Sequence, residues 1–328
     1  MPPMPPFRNA NPAIRNQTPP QQLFLIETDE FEVLRQRMVD ERPFHHVTLH
    51  IRPGGMMLKA QNAAGLGFEI ECYYIRDRFN VWYRMTDGGR GGRRINEVYS
   101  ERDIFIEAAQ FVEYFLDILP YNDEIGTFTV GQFIESRDTP RHVRYVRTNF
   151  FRPVHEYLEQ RRFLIKVRQL IMEHNGLAAQ PYGIRWFLPY MKLTGDKELV
   201  LKPCEGMLGP RKVALTRVFR LPSQRKPQKL TVEKLWTPID SMQFAMFREI
   251  STSCAKLRVK TVQNLIKRFL RSRIFESCTI ESDIIDHDVR QLYNHSYPRD
   301  GQGSWTVQVR PQFTVGIEGN TFTFRKHN

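Results

Sequence analysis

The chain has 328 residues, of which 41% are hydrophobic and 12% aromatic, so it can bury a substantial core and is not a largely disordered protein. Lys and Arg number 48 against 36 Asp and Glu, and the formal charge of +12 favours anionic partners such as nucleic acid or an acidic protein face. The four cysteines are scattered without a CxxC pair, which argues against a disulfide scaffold or a cysteine zinc site.

Residues 1–22 are predicted to be a disordered, proline-rich tail, because proline fixes φ and cannot donate a backbone hydrogen bond. This segment has no apolar core of the kind a secretory signal needs. No stretch of the chain approaches the roughly 18 apolar residues of a membrane span. We therefore expect an intracellular protein, cytoplasmic or nuclear, that does not engage a membrane.

Residues 23–100 are predicted to form a β-rich N-terminal part. HVTLHIRP alternates apolar and polar residues, and Gly54 and Gly55 separate it from MMLKAQ, which favours a hairpin. FEIECYYIRD (68–77) and RFNVWYRM (78–85) continue the same pattern. The glycine- and arginine-rich residues 86–94 are predicted to be a flexible loop.

Beyond residue 100 the apolar spacing becomes helical. Ile104, Ala108, Phe111 and Phe115 predict a helix that Pro120 ends. Short strands are predicted at Ile125–Val130 and His142–Thr148. A second long helix is predicted from Pro153 to His174.

From about residue 196 a strand and a helix alternate at intervals of 20 to 30 residues, roughly the period of a solenoid repeat. The predicted strands centre on Leu199–Leu201, Leu230–Val232, Leu257–Val259 and Thr279, and the predicted helices include Ile239–Ile250, VQNLIKRFLRS and DIIDHDVRQLY. A terminal hairpin is predicted around Gly319. The predicted fold is thus α+β: the β-rich part, followed over residues 101–328 by irregular leucine-rich-repeat-like units that form a recognition region and close with a β-hairpin.

Motifs for catalysis and cofactor binding are missing from the sequence. AGLGFE has too few glycines for a dinucleotide site, and neither GxxxxGKS nor GxSxG occurs. Asp283, Asp286, His287, Asp288 and His295 are crowded, but they are typical of a helix start with a solvated face rather than of a metal site. We expect no enzyme, no catalytic residue, no cofactor and no metal.

The segment Ser253–Ser282 is strongly basic, and its charges follow a pattern. Val262, Leu265, Ile266, Phe269 and Leu270 stand at helical spacing and predict an apolar face. The outward positions are basic: Lys256, Arg258, Lys267, Arg268 and Arg271. These residues are candidates for binding an acidic partner surface, and the alternative is that they form a solvated face.

An RNA-binding protein is the alternative function. GGRGGRR resembles a minimal RGG element, which binds RNA without folding. The remaining basic residues are spread along the chain, and aromatic residues do not alternate with them outside predicted core positions. This distribution favours a protein partner over a nucleic acid.

The sequence SCAKLRVKTVQNLIKRFLRSRIFESCTIE resembles the signature segment of the nematode F-box-associated domain family. The helix IFIEAAQFVEYFLDIL and the hairpin FTVGIEGNTFTFRK are also similar to segments of that family. The resemblance spans roughly residues 44–320 and implies a protein-interaction module, in many members the substrate-selecting part of a ubiquitin ligase. The N-terminal F-box that docks such members onto the ligase scaffold is not evident in residues 1–43.

Overall fold

The computed structural model describes the chain over much of its length. The described residues are 36, 38–52, 55–75, 78–85, 93–98, 104–119, 123–132, 144–161, 163–174, 182–204, 211–222, 225–237, 244–292 and 304–327. The predicted proline-rich tail and residues 86–92 of the predicted flexible loop lie outside them. Arg93 and Arg94, the last residues of that loop, belong to a β-strand.

β-Strands dominate the described part of the chain. They are β1 (His46–Arg52), β2 (Gly55–Gln61), β3 (Gly67–Ile75), β4 (Arg78–Met85), β5 (Arg93–Val98), β6 (Glu124–Gln132), β7 (Ile165–His174), β8 (Met191–Pro203), β9 (Arg211–Lys212), β10 (Lys229–Trp236), β11 (Glu249–Leu257), β12 (Ser277–Ile285), β13 (Ser304–Arg310), β14 (Phe313–Glu318) and β15 (Thr321–Lys326).

The helices are fewer and mostly short. They are α1 (Ile104–Ile118), α2 (Arg152–Gln160), α3 (Tyr182–Trp186), α4 (Thr216–Phe219), α5 (Val259–Phe269) and α6 (His287–Gln291). A π-helical turn (Arg147–Phe151) precedes α2, and 3₁₀ turns lie at Leu188–Tyr190 and Phe244–Met246.

Within the described residues, the fifteen strands form one mixed sheet. The first five strands are an antiparallel meander that enters the sheet through β1. The centre is parallel, in the order β1, β6, β7, β8, β10, β11 and β12, with β9 beside β10. The last three strands are antiparallel and join through β15, which pairs with β12.

The two faces of this sheet differ in polarity because successive side chains point to opposite sides. In β11, for example, Ile250 and Cys254 are buried, whereas Ser251 is exposed. The buried faces of the strands and the apolar faces of α1, α2, α3 and α5 join in one core cluster. Helices therefore pack on one face, and the opposite face is polar.

The predicted leucine-rich-repeat-like fold class is wrong. One sheet runs through both predicted parts, so the β-rich N-terminal strands and the later strands share a single framework. In the region where repeats were predicted, from about residue 196, α5 is the only described helix of more than five residues; α4 has four residues and Phe244–Met246 is a 3₁₀ turn. The interval of 20 to 30 residues between strand centres, which suggested repeats, is the distance along the chain between successive parallel strands. It does not indicate whether a helix or a loop connects them.

Several predicted elements also differ from the observed ones. His142–Thr148 was expected as a strand, but its described residues are helical. The helix expected over Pro153–His174 ends at Gln160, and the second half of that range is strand β7. The spacing of its apolar residues, such as Ile165 and Val167, fits a strand as well as a helix, so the pattern alone does not distinguish the two. In the expected helix Ile239–Ile250, the described residues form a 3₁₀ turn and the start of β11.

Other predictions are confirmed. The hairpin β1–β2, strands β3 and β4, and helix α1 lie where the patterns place them. The terminal hairpin β14–β15 turns at Gly319, whose φ of +54° is a conformation that glycine adopts readily. Val259, expected in a strand, instead begins α5, and Ile284, expected on a helix, lies in β12.

Candidate functional site

Helix α5 positions the predicted basic residues. Its apolar side chains at helical spacing are all buried: Val262, Leu265, Ile266 and Phe269. The Phe269 ring stacks on Phe275 with centroids 4.0 Å apart, and it also contacts Phe324 of β15. These contacts fix the rotation of the helix and leave its opposite side facing outward.

The outward side of α5 lines an open pocket of about 390 Å³. Asn264, Lys267 and Arg268 stand at i, i+3 and i+4, which places them on one side of the helix, and Arg271 follows its C-cap, Leu270. Ala245, from the 3₁₀ turn before β11, and Ser272, which follows the helix, complete the wall. The Ser272 hydroxyl donates a hydrogen bond of 2.8 Å to the Ala245 carbonyl oxygen and ties the two walls together.

The pocket carries a concentrated positive charge. The described residues that line it include three cationic side chains and no carboxylate. Lys267 and Arg271 are exposed and form no ion pair within the described part of the chain. They lie at the C-terminal end of α5, where the helix dipole favours positive charge, so the helix tolerates them without acidic neighbours.

The structure brings together three of the five predicted site residues. Lys267, Arg268 and Arg271 line the pocket, whereas Lys256 and Arg258 do not. Lys256 lies on β11, where its ammonium group contacts the carboxylate of Asp286 at 2.7 Å. Arg258 is the exposed N-cap of α5, at the other end of the helix.

Three lining residues were missed by the sequence interpretation. Asn264 could have been found, because its spacing places it on the same helical side as Lys267 and Arg268. Ser272 directly follows the basic run, but nothing in the sequence marks it. Ala245 belongs to a separate turn that only tertiary packing brings next to α5.

A second charged cluster lies on the polar face of the sheet. Glu173 of β7 is buried and accepts contacts from His50 of β1, at 3.2 Å, and from Lys202 of β8, at 3.4 Å. Gly131 of β6 lies between β1 and β7, and a Cβ there would approach the Glu173 Oε2 atom to 2.3 Å. Glycine at this position therefore leaves the space that the carboxylate occupies.

The ionisation of Glu173 follows from this arrangement. Burial by itself would raise the pKa of the carboxyl group, but the hydrogen bond and charge of His50 and the charge of Lys202 outweigh burial and lower the pKa. Glu173 is thus held as a carboxylate between the His50 imidazole and the Lys202 ammonium group. The alternation of side chains along β1 puts His46 and His50 on the same face of the strand. The sequence of β1 does not indicate that Glu173 lies next to His50.

A third cluster lies where α1 packs beside α2. Burial, together with the negative charges of Asp117 and Glu156, raises the pKa of Glu113 to about 7. The Tyr157 hydroxyl donates a hydrogen bond to Asp117, and the Arg161 guanidinium caps the end of α1 through the Leu119 carbonyl oxygen at 3.2 Å. This cluster has a structural explanation, since its groups join the two helices.

The described residues offer no grouping of three His, Cys, Asp or Glu side chains that could hold a metal ion. In the same part of the chain, no helix is both long enough and apolar enough to cross a membrane. The four cysteines are buried and none forms a disulfide, and burial raises the pKa of the Cys278 thiol strongly. The pocket beside α5 is therefore the feature with the clearest chemistry for a ligand.

Comparison with protein-family models, with curated proteins and with solved structures finds no match for this chain.

Proposed function

We propose that this protein is a non-enzymatic recognition module that binds an acidic segment of a protein partner. The observation that carries the proposal is the pocket beside α5, whose described lining residues include three cations and no carboxylate. Two of these cations, Lys267 and Arg271, have no ion-pair partner in the described part of the chain. Acidic side chains of a partner would supply the missing counter-charges.

The surroundings of the pocket favour a protein over a nucleic acid. No aromatic side chain is among the described residues that line the pocket, and single-stranded nucleic acids are usually held by stacking on aromatic rings. Ile274, two residues after Ser272 in the chain, is 55% exposed and adds an apolar side chain to this segment. Such a mixture of apolar and charged surface is typical of protein interfaces. Most of the GGRGGRR element, on which the RNA-binding alternative depends together with the basic faces, lies outside the described residues.

A role in substrate selection for a ubiquitin ligase is supported only by the resemblance to the F-box-associated family. Under this proposal, the acidic partner is the protein selected for modification. Co-purification of the chain with a cullin-type ligase scaffold tests the link, and failure to recover the scaffold would remove this part of the proposal without affecting recognition at the pocket.

The binding proposal is tested with a fluorescent peptide rich in Asp and Glu, titrated with the full chain and followed by anisotropy. The pocket variant Lys267→Glu/Arg271→Glu is compared with Arg258→Glu/Lys260→Glu, which has the same net charge and alters exposed residues of the same segment outside the pocket. We expect the pocket variant to bind at least about tenfold more weakly than the control, the factor that one lost charge-assisted contact produces. Equal weakening by the two variants would refute a site in the pocket.

A pull-down with and without nuclease decides between the two partner classes. Protein that the wild type retains after nuclease treatment, and that the pocket variant loses, supports the proposal. Material that disappears with nuclease and with a rise from 50 to 200 mM salt indicates phosphate-backbone contacts instead. That outcome would replace the protein-partner proposal by the RNA-binding alternative.

A further inference from the structure

The antiparallel meander β1–β5 carries aromatic side chains on the face of the sheet that lies opposite the helices. In β3, Ile70 and Cys72 are buried in the core, so the alternation of side chains turns Glu71 and Tyr73 to the outer face. Trp82 of β4 lies directly opposite Glu71 in the register and therefore shares that face. Tyr73 and Trp82 are both only partly buried. The water-facing side of an antiparallel sheet is usually polar, so two large aromatic rings here depart from the ordinary pattern.

The two rings are close enough to act together. Tyr73 lies opposite Asn80, which is two residues before Trp82 on β4, so Tyr73 and Trp82 are diagonal neighbours on adjacent strands. Neighbours of this kind are about 7 to 8 Å apart, within reach of aromatic side chains. Bases of a single-stranded nucleic acid stack on such rings whatever their sequence, because every base has a π-face. The pair therefore offers stacking positions for successive bases.

Arginines border the rings and extend further into solvent than the carboxylates that pair with them. The Arg84 guanidinium lies 5.7 Å from the centre of the Trp82 ring and contacts Glu69 at 2.6 Å, and the Arg84 side chain is 44% exposed against 12% for Glu69. Arg52 of β1 contacts Glu71 at 2.7 Å, with side-chain exposures of 46% and 27%. A guanidinium has five N–H donors and a carboxylate accepts two of them in a bidentate pair, so both arginines keep donors for a phosphate group.

Further basic residues adjoin this face. Lys59 of β2 lies opposite Glu69 and is half-buried. The GGRGGRR segment connects β4 with β5, and its last two residues, Arg93 and Arg94, belong to β5. Arg94 lies opposite Trp82 in the register of these strands. The sequence element that resembles an RNA-binding motif is thus joined directly to the strand that carries Trp82.

We propose that the outer meander face, formed by Tyr73, Trp82, Arg84, Arg52 and Lys59, binds single-stranded nucleic acid. Bases stack on the two rings, and the phosphate backbone contacts the cations. The inference goes beyond the proposed function, because this face lies on the side of the sheet opposite α5, and β4 is eight strands from β11 in the strand order. At about 4.8 Å per strand the two regions are about 38 Å apart along the sheet, so each can be altered separately.

The test titrates the full chain into fluorescent probes of about 12 nucleotides and follows the anisotropy. The probes are single-stranded oligouridine RNA, single-stranded oligothymidine DNA and a double-stranded RNA of the same length. We expect both single strands to bind, with an affinity that falls steeply between 50 and 200 mM salt. The duplex, whose bases are already stacked on each other, should bind at least about tenfold more weakly.

Variants of the outer meander face locate the binding. Trp82→Leu keeps an apolar side chain without a ring and should bind the single strands about tenfold more weakly, whereas Trp82→Phe should stay within about threefold of the wild type. Tyr145→Leu removes a ring that is 44% exposed elsewhere in the chain and, as the matched control, should bind normally. Lys59→Gln should reduce the slope of log affinity against log salt concentration by about 0.7. Thermal unfolding followed by circular dichroism confirms that each variant is folded.

The outcomes separate this inference from the proposed function. Normal binding by Trp82→Leu, an equal loss in Tyr145→Leu, or equal binding of duplex and single strands overturns the inference. A protein that is retained after nuclease treatment and lost by Trp82→Leu would assign this face to a protein partner, which also overturns it. If Lys267→Glu/Arg271→Glu abolishes nucleic-acid binding, the nucleic acid lies at α5 and both proposals are wrong. Absence of acidic-peptide binding by the wild type refutes the proposed function alone.

Discussion

The charged residues of the sheet and those of the helical layer are organised differently. On the polar face of the sheet, cations lie beside carboxylates on neighbouring strands, as Lys229 does between Glu198 and Glu249. On α5, Lys267 and Arg271 have no such partner in the described part of the chain. We infer from this difference that the ion pairs of the sheet stabilise the fold, whereas the cations at α5 are available to a ligand. If so, substitutions on the sheet should change stability, and substitutions on α5 should change binding.

The largest effect on stability is expected from Glu173→Gln. This substitution leaves His50 and Lys202 without their shared carboxylate on a buried part of the sheet, and breaking such a pair costs about 3 kcal/mol. Urea unfolding measures the loss. Glu281→Gln, at an exposed position of β12, is the matched control and should change stability by less than about 0.5 kcal/mol.

The same variant has a defined pH dependence. The pKa of Glu173 is lowered in the folded protein, so its contribution to stability is fully present above the unfolded pKa and is lost as the pH falls through the folded pKa. The difference between wild type and Glu173→Gln should therefore narrow below about pH 4, near the ordinary pKa of glutamate. If the stability difference between the two proteins stays constant down to pH 3, Glu173 does not stabilise the fold through its charge.

Gly131→Ala should have the next largest effect. The added Cβ would lie 2.3 Å from the Glu173 Oε2 atom and 2.9 Å from the His50 Cδ2 atom, closer than atoms tolerate. Relief of this clash displaces the buried carboxylate, and overpacking of this kind costs about 2 kcal/mol. In a Glu173→Ala background the cost should fall well below that of the single variant. Additive effects in this double-mutant cycle would contradict the proposed contact.

A smaller effect is expected from Glu113→Gln on α1. The pKa of Glu113 is raised to about 7, so the folded state holds its proton more tightly than the unfolded state. The wild type should lose stability as the pH rises from about 4.5 to about 7, and the variant should not. Because the Glu113 side chain is only partly buried, the variant should exceed the wild type in unfolding free energy at pH 8 by about 1 kcal/mol. Thermal unfolding at pH 4 and pH 8 measures it, with Glu318→Gln as the exposed control.

The smallest effect on stability is expected from Lys267→Ala/Arg271→Ala. Both side chains are exposed and have no ion pair in the described part of the chain, so the free energy of unfolding should change by less than about 0.5 kcal/mol per residue. Urea unfolding of the variant beside Arg258→Ala checks this value. A loss as large as that of Glu173→Gln would mean that these cations serve the fold, and the contrast between the sheet and α5 would no longer hold.

Local patterns predicted those elements whose burial depends on near neighbours in sequence. The apolar spacing of α5 and of α1 is helical and admits one interpretation, and glycines mark both the β1–β2 hairpin and the terminal turn. The segment from Ile165 to His174 was assigned wrongly because its apolar residues fit a helix as well as a strand. The π-helical turn Arg147–Phe151 was also missed, because the alternating segment HVRYVRT (142–148) predicts a strand that overlaps its start.

Part of the candidate site could be predicted from the sequence. Helical spacing alone places Lys267, Arg268 and Arg271 on the outward side of α5. It could not show that Lys256 would be neutralised by Asp286, because this contact depends on the pairing of β11 with β12. The hydrogen bond between Ser272 and Ala245 could likewise not be predicted, because strand β11 and helix α5 separate the two residues in the chain.

Local periodicity shows which face of each well-patterned strand and helix is apolar, including the basic outward side of α5, because side-chain direction follows from the period of the backbone. It does not show that the strands join in one mixed sheet, that Glu173 lies between His50 and Lys202, or that α5 closes a pocket with Ala245; these features arise from tertiary packing. Strand order and ion pairing depend on which distant segments bury each other's surface, and local periodicity does not encode that choice.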